Sequence, residues 1–502
     1  MSLLKDLRHG ARKLVRNPGF SAISIVTLAL GIGLTTTMFS IVYGALMRGL
    51  PFEDGERVVS IRGANPARDQ DELGVSQHDL ADYRAQQRSF EGLGAFTNGT
   101  MSVSGTEKPE RFDGAYISAN GFELIRAKPL LGRTFRPGED AVGAPALVIL
   151  GHDIWQNRYG GDRGVLGRTI RVNGEQAEII GVMPPRFAFP ASDKLWVPLR
   201  EPMAARRGEG TDLFVFGRLK PGVSMDAANV EIAGIARRLA TQFPESNKDL
   251  TAFVEPYTKS FIGKEPTLLL QTMLFAVFLV LLIACANVAN LLLSQAAMRA
   301  REVGIRTAMG ASRGRIIMQF LTEPLALALV AAAIGVGLAF FGVKLFNDAI
   351  ASTEPPFWID IKIDGPILLF VLGITLFATF VSGVLPAIRA SGANVNEVLK
   401  DESRGASSFR GGMISRVLVV FEIALSVGLL VAAGLTIKSV TRLRNMDFGF
   451  PTKTIFTARV ALPETVYGDS AAQVRFFDQL YGRLSEIQGV EGYTLTGMLP
   501  VL

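Results

Sequence analysis

The sequence has very little of the chemistry that metals and redox reactions need. Its 502 residues include one cysteine and three histidines. Cys285 alone closes no intrachain disulfide and anchors no cysteine-based metal site. His9, His78 and His152 lie far apart in the chain, which argues against a histidine zinc site. The Gly-x-x-x-x-Gly-Lys-Ser/Thr phosphate loop is missing too. Gly263-Lys264 is followed by Glu265 and precedes an apolar run, so it cradles no phosphate. Charge is scarce and nearly balanced. Lys plus Arg is 52 and Asp plus Glu is 46, a net +6. That excess is too small to argue for nucleic acid. Charged residues make up 20% of the chain, below the ~25% of soluble domains.

Apolar sequence is abundant. Hydrophobic residues reach 48%, with a mean hydropathy of +0.29. They concentrate in five nearly uncharged runs, 20–47, 268–293, 325–345, 367–388 and 417–437. Each is long enough to cross ~30 Å of hydrocarbon as a helix. Helix is the form that satisfies the backbone of such a run in lipid. One buried core helix of this kind is easy to credit in a soluble protein; five are not. The first run follows Lys5, Arg8, Arg12, Lys13 and Arg16. It is nearly twice a signal-peptide h-region of ~7–15 residues, so it reads as an uncleaved span.

Lys and Arg in short flanks set the orientation. The N-terminal segment 1–19 is basic. The segment between runs two and three carries Arg299, Arg301, Arg306, Arg313 and Arg315, and the linker 391–416 carries Lys400, Arg404 and Arg410. All three fall on one side, which is expected to be cytoplasmic. Residues 48–267 and 438–502 then lie outside. The expected fold class is an α-helical integral membrane protein of about five transmembrane helices with a large inserted α+β extracytoplasmic domain.

The domain at 48–267 alternates strand and helix signals. Residues 58–62 and 147–150 read as strands. Ser76 before Asp79, Leu80 and Tyr83 reads as a capped helix. Asn173-Gly174 between two strands reads as a type I′ hairpin turn. Ser224 caps a helix to about residue 242, with Ala227, Val230, Ile235 and Leu239 expected on or near one face. Strands 213–219 and 252–257 complete the pattern.

Run five repeats the setting of run one. Arg410 and Arg416 precede it, and Phe448-Gly449-Phe450-Pro451 follows it as Gly49-Leu50-Pro51-Phe52 follows the first. Residues 455–461 then read as strand and 470–487 as helix. The tail 438–502 reads as the start of a second extracytoplasmic domain whose remainder is missing, or as a reduced domain.

Several patterns dissolve on inspection. Gly310-Ala311-Ser312-Arg313-Gly314 matches a hydrolase elbow, but a charged helix precedes it, and His78 and His152 are expected across the membrane. Gly31-x-Gly33 lacks a third glycine and lies in a span. Close helix packing accounts for it, as for Gly335, Gly337 and Ala339. Asn98-Gly99-Thr100 is a glycosylation sequon by pattern only. Asn287 and Asn290 are intramembrane polar residues expected to hydrogen-bond between helices. Glu422 is an intramembrane acid and therefore a functional candidate, although Arg416 lies one and a half turns away and can pair with it. No clustered nucleophile, metal set or carboxylate pair marks an enzyme.

These residues together resemble the MacB/FtsX-like permeases of ABC transporters (type VII), in their duplicated single-chain form cut short in the second half. Asn17-Pro18-Gly19-Phe20, Leu28-Ala29-Leu30-Gly31-Ile32-Gly33 and Leu50-Pro51-Phe52 are similar to the family's first span. Tyr116-Ile117-Ser118-Ala119-Asn120-Gly121-Phe122-Glu123, Pro129-Leu130-Leu131-Gly132-Arg133, Gly167-Arg168-Thr169-Ile170-Arg171-Val172-Asn173-Gly174 and Ile180-Gly181-Val182-Met183-Pro184 are similar to its periplasmic core domain. Asn287-Val288-Ala289-Asn290-Leu291-Leu292-Leu293, then Ala300-Arg301-Glu302-Val303-Gly304-Ile305-Arg306-Thr307-Ala308-Met309-Gly310, resembles the stretch that leads from span two to span three in an FtsX-like unit at 268–390. Residues 390–400 resemble the stretch after span four.

The resemblance implies that segment 299–315, through Arg301, Glu302, Val303, Gly304, Ile305, Arg306, Met309 and Gly310, docks on a separate ABC ATPase subunit. The spacing of Val303, Arg306 and Gly310 suits a short amphipathic helix whose arginines pair with acidic groups. The chain itself is expected to bind no cofactor and to be no enzyme, ATP acting through the other subunit. The implied setting is the bacterial inner membrane, multi-pass, with a cytoplasmic N-terminus. The implied partners are lipid, a periplasmic adaptor or hydrolase, and a second unit completing a dimer or pseudo-dimer. Two roles fit: a transport permease for efflux or lipoprotein or peptide handling, and an FtsX-like non-transporting regulator of a periplasmic cell-wall hydrolase.

Overall fold

A computed structural model of the chain describes residues 17–496 except 105–108, 299–308, 310–311, 392–408, 445–454, 459, 461, 463–466, 468 and 491. Its strands, and its α-helices of eight residues or more, are α1 (Pro18–Val42), β1 (Val58–Asn65), β2 (Gln70–Leu73), α2 (Gln77–Gln86), β3 (Phe90–Ser104), β4 (Glu110–Ile117), β5 (Leu131–Gly132), β6 (Leu147–Leu150), α3 (His152–Tyr159), β7 (Thr169–Val172), β8 (Glu175–Val182), β9 (Leu195–Pro198), β10 (Phe214–Leu219), α4 (Met225–Gln242), β11 (Thr251–Pro256), α5 (Lys264–Met298), α6 (Arg313–Ile350), α7 (Gly365–Ser391), α8 (Phe409–Arg444) and α9 (Ser470–Ser485). The chain divides into two compact units. One runs up to Arg48 and from Ile262 to Thr452; the other runs from Gly49 to Phe261 and from Lys453 onward.

The first unit is helical. Among the described residues, five stretches are long and apolar enough to cross a membrane: Pro18–Met47, Lys264–Gln295, Phe320–Ile350, Gly365–Ile388 and Arg416–Ser439. α1 packs against α5, α6 and α7. Leu28, Ala29 and Ile32 of α1 bury together with Leu281, Cys285 and Val288 of α5, Leu327 and Ala331 of α6, and Ile374 and Ala378 of α7. Helices in lipid gain from close van der Waals packing, and small residues permit it. A Cβ on Gly33 would sit 3.1 Å from Gly335 O and from Leu338 Cβ. A Cβ on Gly335 would meet Ala29 O and Gly33 N at 3.2 Å. Ala339, one turn on from Gly335, is buried. Gly337 is not part of this contact, since its Cβ position faces open space. At about 100° per residue it points away from the side that Gly335 and Ala339 share.

Several buried hydroxyls bond within their own helices, whereas those of Ser21, Ser24 and Thr36 have no partner among the described residues. Thr35 Oγ1 donates to Gly31 O at 2.8 Å, and it also lies 3.2 Å from Val277 O on α5. α8 stands apart from this core. It packs on α5, with Leu418, Glu422, Leu425, Ser426 and Leu429 half-buried and most of its other described side chains exposed. That stripe follows helical spacing.

The second unit is built on an eleven-stranded sheet of order β11-β1-β10-β3-β4-β9-β6-β8-β5. β2 pairs with β1, and β7 pairs with β3 and β8. β4–β9 and β6–β8 are parallel; the other pairs are antiparallel. One hydrophobic core lies under α2 and α4 and includes Val59, Ile61, Leu80, Tyr83, Phe90, Leu93, Val215 and Ile232. A second gathers Met101, Val148, Leu150, Ile154, Val165, Ile179 and Leu195. The capping signals operate as the side-chain chemistry dictates. Ser76 accepts from Asp79 N and Ser224 from Ala227 N, as N-cap hydroxyls do. Asn173 and Gly174 take φ +51° and +89°, the two positive values a type I′ turn needs.

The face of α4 differs from the expectation. Ala228, Ile232, Ile235, Ala236 and Leu239 are buried, whereas Ala227 is exposed and Val230 is 74% exposed. Val230 lies five residues before Ile235, about 140° round the helix, and so points to solvent. In the tail, α9 forms behind an Asp469 cap, while residues 455–458 are described without strand pairing.

Candidate functional site

Of the expected docking segment, Arg301, Glu302, Val303, Gly304, Ile305, Arg306 and Gly310 lie outside the described residues. Met309 is described and exposed. The two amides sit near the end of α5. Asn287 is half-buried. Asn290 has its Oδ1 buried with no hydrogen-bond partner among the described residues. Glu422 sits on the half-buried stripe of α8. An unmet amide oxygen in apolar surroundings costs free energy, so Asn290 marks a place where α5 is not fully satisfied in this arrangement.

Sequence reasoning passed over a second intramembrane carboxylate. Thr322 and Glu323 are buried at 9% and 7% exposure, immediately before Pro324 in α6. Pro324 in turn presses on Gly383 of α7, where a Cβ would come within 2.8 Å of Pro324 Cγ. Glu323 lies outside the apolar window 325–345. A reading that scans only the runs themselves therefore misses the acid at their edge.

It also missed a charged cluster at the far end of α1. Arg48 pairs with Asp364, donates to the carbonyl of Asp360, and lies 3.4 Å from the Asp360 carboxylate. Lys362 pairs with Asp360. Asn347 Nδ2 of α6 donates to Ile361 O at 2.9 Å. The available signal was opposite charge at one membrane face: a lone Arg after run one, and two Asp just before run four.

In the sheet unit the notable titrating group is Asp193. It is buried, and Asn98 Nδ2 lies 2.9 Å from each carboxylate oxygen. Burial is the largest influence and pushes its pKa up to about 6, against the opposing pull of Asn98. A carboxyl raised in the folded state favours folding most below its unfolded pKa, and that contribution is lost as pH rises through the folded value. The melting temperature of the sheet unit's own transition is therefore expected to rise between pH 7.5 and pH 5 by more than that of Asp193→Asn. Parallel thermal scans of the two proteins check this. Equal pH responses would show that Asp193 does not titrate in that window.

Comparison with known families fits this two-part architecture. The MacB-like periplasmic core domain matches residues 21–235. The FtsX-like permease C-terminal domain matches residues 274–395. The chain belongs to the MacB/FtsX-like permeases of ABC transporters. The permease is 26% identical over 317 residues to the macrolide export ATP-binding/permease protein MacB of Campylobacter jejuni, covering 62% of this chain and 46% of that one. It is 21% identical over 433 residues to the uncharacterized ABC transporter permease YknZ of Bacillus subtilis, covering 80% of this chain and 100% of that one. The periplasmic region of MacB from Actinobacillus actinomycetemcomitans matches at 14% identity and a TM-score of 0.31, over 42% of this chain and 92% of that one. The chain thus spans about half of the MacB relative. It is a multi-pass membrane protein whose sheet unit is extracytoplasmic, as in the family.

Proposed function

We propose that this chain is the membrane subunit of an ABC-type system, in which a separate ATPase on the cytoplasmic side drives motion of the extracytoplasmic unit. The observation that carries the reading is the pairing in one chain of a MacB-like core domain and an FtsX-like unit, in a sequence without a phosphate loop. On this reading the energy of ATP enters through contact with the ATPase. Segment 299–315, rich in arginine and placed between two spans, is the part of the sequence suited to that contact. The cargo class we favour is efflux substrates or lipoproteins and peptides, handled with a periplasmic adaptor. The membrane is the bacterial inner membrane, with the N-terminus inside.

The test is purification from native membranes in mild detergent, with mass spectrometry of what accompanies the chain, for the wild type and for Ile305→Asp. An acid in place of an apolar residue is costly to bury in a protein contact. The expected result is an ATPase with a phosphate loop beside the wild type, reduced at least about tenfold beside the variant. Recovery of periplasmic hydrolases with no ATPase would favour the non-transporting regulator instead. Equal ATPase recovery with both proteins would remove segment 299–315 from the contact.

A further inference from the structure

α1 does not end as an α-helix. Residues Tyr43–Met47 form a π turn. Tyr43 N is shared between Phe39 O and Ser40 O, which marks where the winding changes. Arg48 N then donates to Tyr43 O, five residues back, at 2.8 Å. A π turn holds one residue more than an α-helix over the same rise, and such turns are rare because their packing is poorer. Something must therefore hold this one.

The surroundings supply it. Gly44 lies inside the turn, and a Cβ there would meet Ile361 Cγ1 at 3.1 Å and Asp360 O at 3.2 Å. Segment 359–364 is thus laid directly on the turn's backbone. Arg48, at the end of the turn, reaches over to Asp364 and to Asp360 O. Its guanidinium also stands 5.6 Å from the ring of Tyr43, at the turn's start. The four charges Arg48, Lys362, Asp360 and Asp364 sum to zero, and Asp364 Oδ1 is buried without a hydrogen-bond partner among the described residues. Ile361 is buried with Met38, Ile41 and Val42 of α1 and Val343 of α6.

We propose that the π turn Tyr43–Met47 and the Arg48–Asp364 pair form a two-state hinge at the point where the chain leaves the helical unit. In the state seen here the extra residue is wound in and the pair is closed. In the other state the turn rewinds to α. That rotates Arg48 by about 100° round the helix axis and carries its guanidinium off Asp364 and Asp360. Gly49, at φ +73°, and Pro51 follow at once, so a rotation stored in the turn passes to the chain beyond and is not absorbed by further helix. Bistable packing of this kind converts small shifts into discrete motion. The proposal needs no ATPase and stands apart from the reading of the chain as a transport subunit.

Hydrogen exchange on the full chain in nanodiscs tests it, read in peptides covering 40–50 and 357–366. Asp364→Asn opens the pair while keeping the side chain's size. Exchange is expected to quicken about tenfold in both peptides together. Deleting Ala45 removes the inserted residue and should leave a continuous α-helix. Peptide 357–366 should then exchange as fast as in Asp364→Asn, while 40–50 becomes better protected than in that variant. Faster exchange of 357–366 alone in Asp364→Asn would reduce the pair to a loop staple. Full protection of 357–366 in the deletion variant would show that turn and pair are independent. Either result overturns the proposal.

Discussion

Gly33→Leu parts α1 from α6, whereas Gly337→Leu, two residues from Gly335, leaves the bundle intact. The contrast follows from what each new side chain meets. At Gly33 the first added carbon lands 3.1 Å from the Gly335 carbonyl. Backbone cannot step aside as a flexible side-chain end can, so the two helices must separate. Overpacking of this kind costs about 1–3 kcal/mol, and the upper end applies where backbone meets backbone. The loss spreads further, because Leu28, Ala29 and Ile32 hang on the same helix and bury against α5, α6 and α7. Gly335→Leu should match Gly33→Leu, since its Cβ meets Ala29 O and Gly33 N. At Gly337 nothing lies within 4 Å, and a leucine there joins the lipid-facing surface. Thermal aggregation followed by size-exclusion chromatography in detergent separates the three variants. Equal loss in Gly337→Leu would mean that the Gly33–Gly335 contact is not what holds the bundle.

The membrane spans were legible because lipid leaves a chain so few options. A run of twenty apolar residues with no charge has one stable form there, and all five runs are helices in the structure. Turn and cap chemistry was legible for a related reason. Asn173-Gly174, Ser76 and Ser224 act through neighbours two or three residues away, so the local sequence holds the whole interaction. What was not legible acts over distance. Arg48 meets Asp364 across more than three hundred residues, and neither residue breaks any local rule. The π turn leaves no trace in Tyr43-Gly44-Ala45-Leu46-Met47, a stretch that reads as ordinary helix. Val230 was misplaced on α4 because it is apolar, although the period of 3.6 already put it opposite Ile235. Arg218 was passed over for the opposite reason. It sits in a strand of apolar residues where a cation is expected to face water.

Arg218→Met is expected to loosen the sheet unit, because what the guanidinium holds in place outweighs the cost of burying it. Arg218 is 0% exposed. Burying a cation is expensive, and replacing one with an apolar side chain of similar length is sometimes stabilising. Two features weigh against that outcome here. Nε donates to Leu124 O, and Nη1 donates to Asp54 O at 3.1 Å. One planar fork therefore joins the loop after Gly49 to the turn after Leu124. Each of those loops also contains a non-glycine residue with a left-handed backbone, Asp54 at φ +48° and Arg126 at φ +56°. Such conformations cost on the order of 1 kcal/mol each and persist only when their surroundings hold them.

The acids nearby are already engaged by other arginines. Arg126 lies 2.7 Å from Glu53 and 3.0 Å from Asp54, and Arg57 pairs with Glu91. Taking Arg218 away thus frees two carbonyls and releases two strained turns, against the relief of one buried charge whose Nη2 has no partner among the described residues. With hydrogen bonds to a charged donor at ~1.5–3 kcal/mol each, a net loss of about 3 kcal/mol is expected. Lysine should fare little better, because a point charge cannot serve two carbonyls in a fixed fork. A chain of two units does not unfold in one step, so the readout is local: hydrogen exchange in β10, in residues 50–57 and in residues 121–127. Faster exchange in all three segments supports the clamp. Slower exchange in Arg218→Met would show that the burial cost of the guanidinium outweighs everything it holds, and that the two left-handed turns are stable on their own.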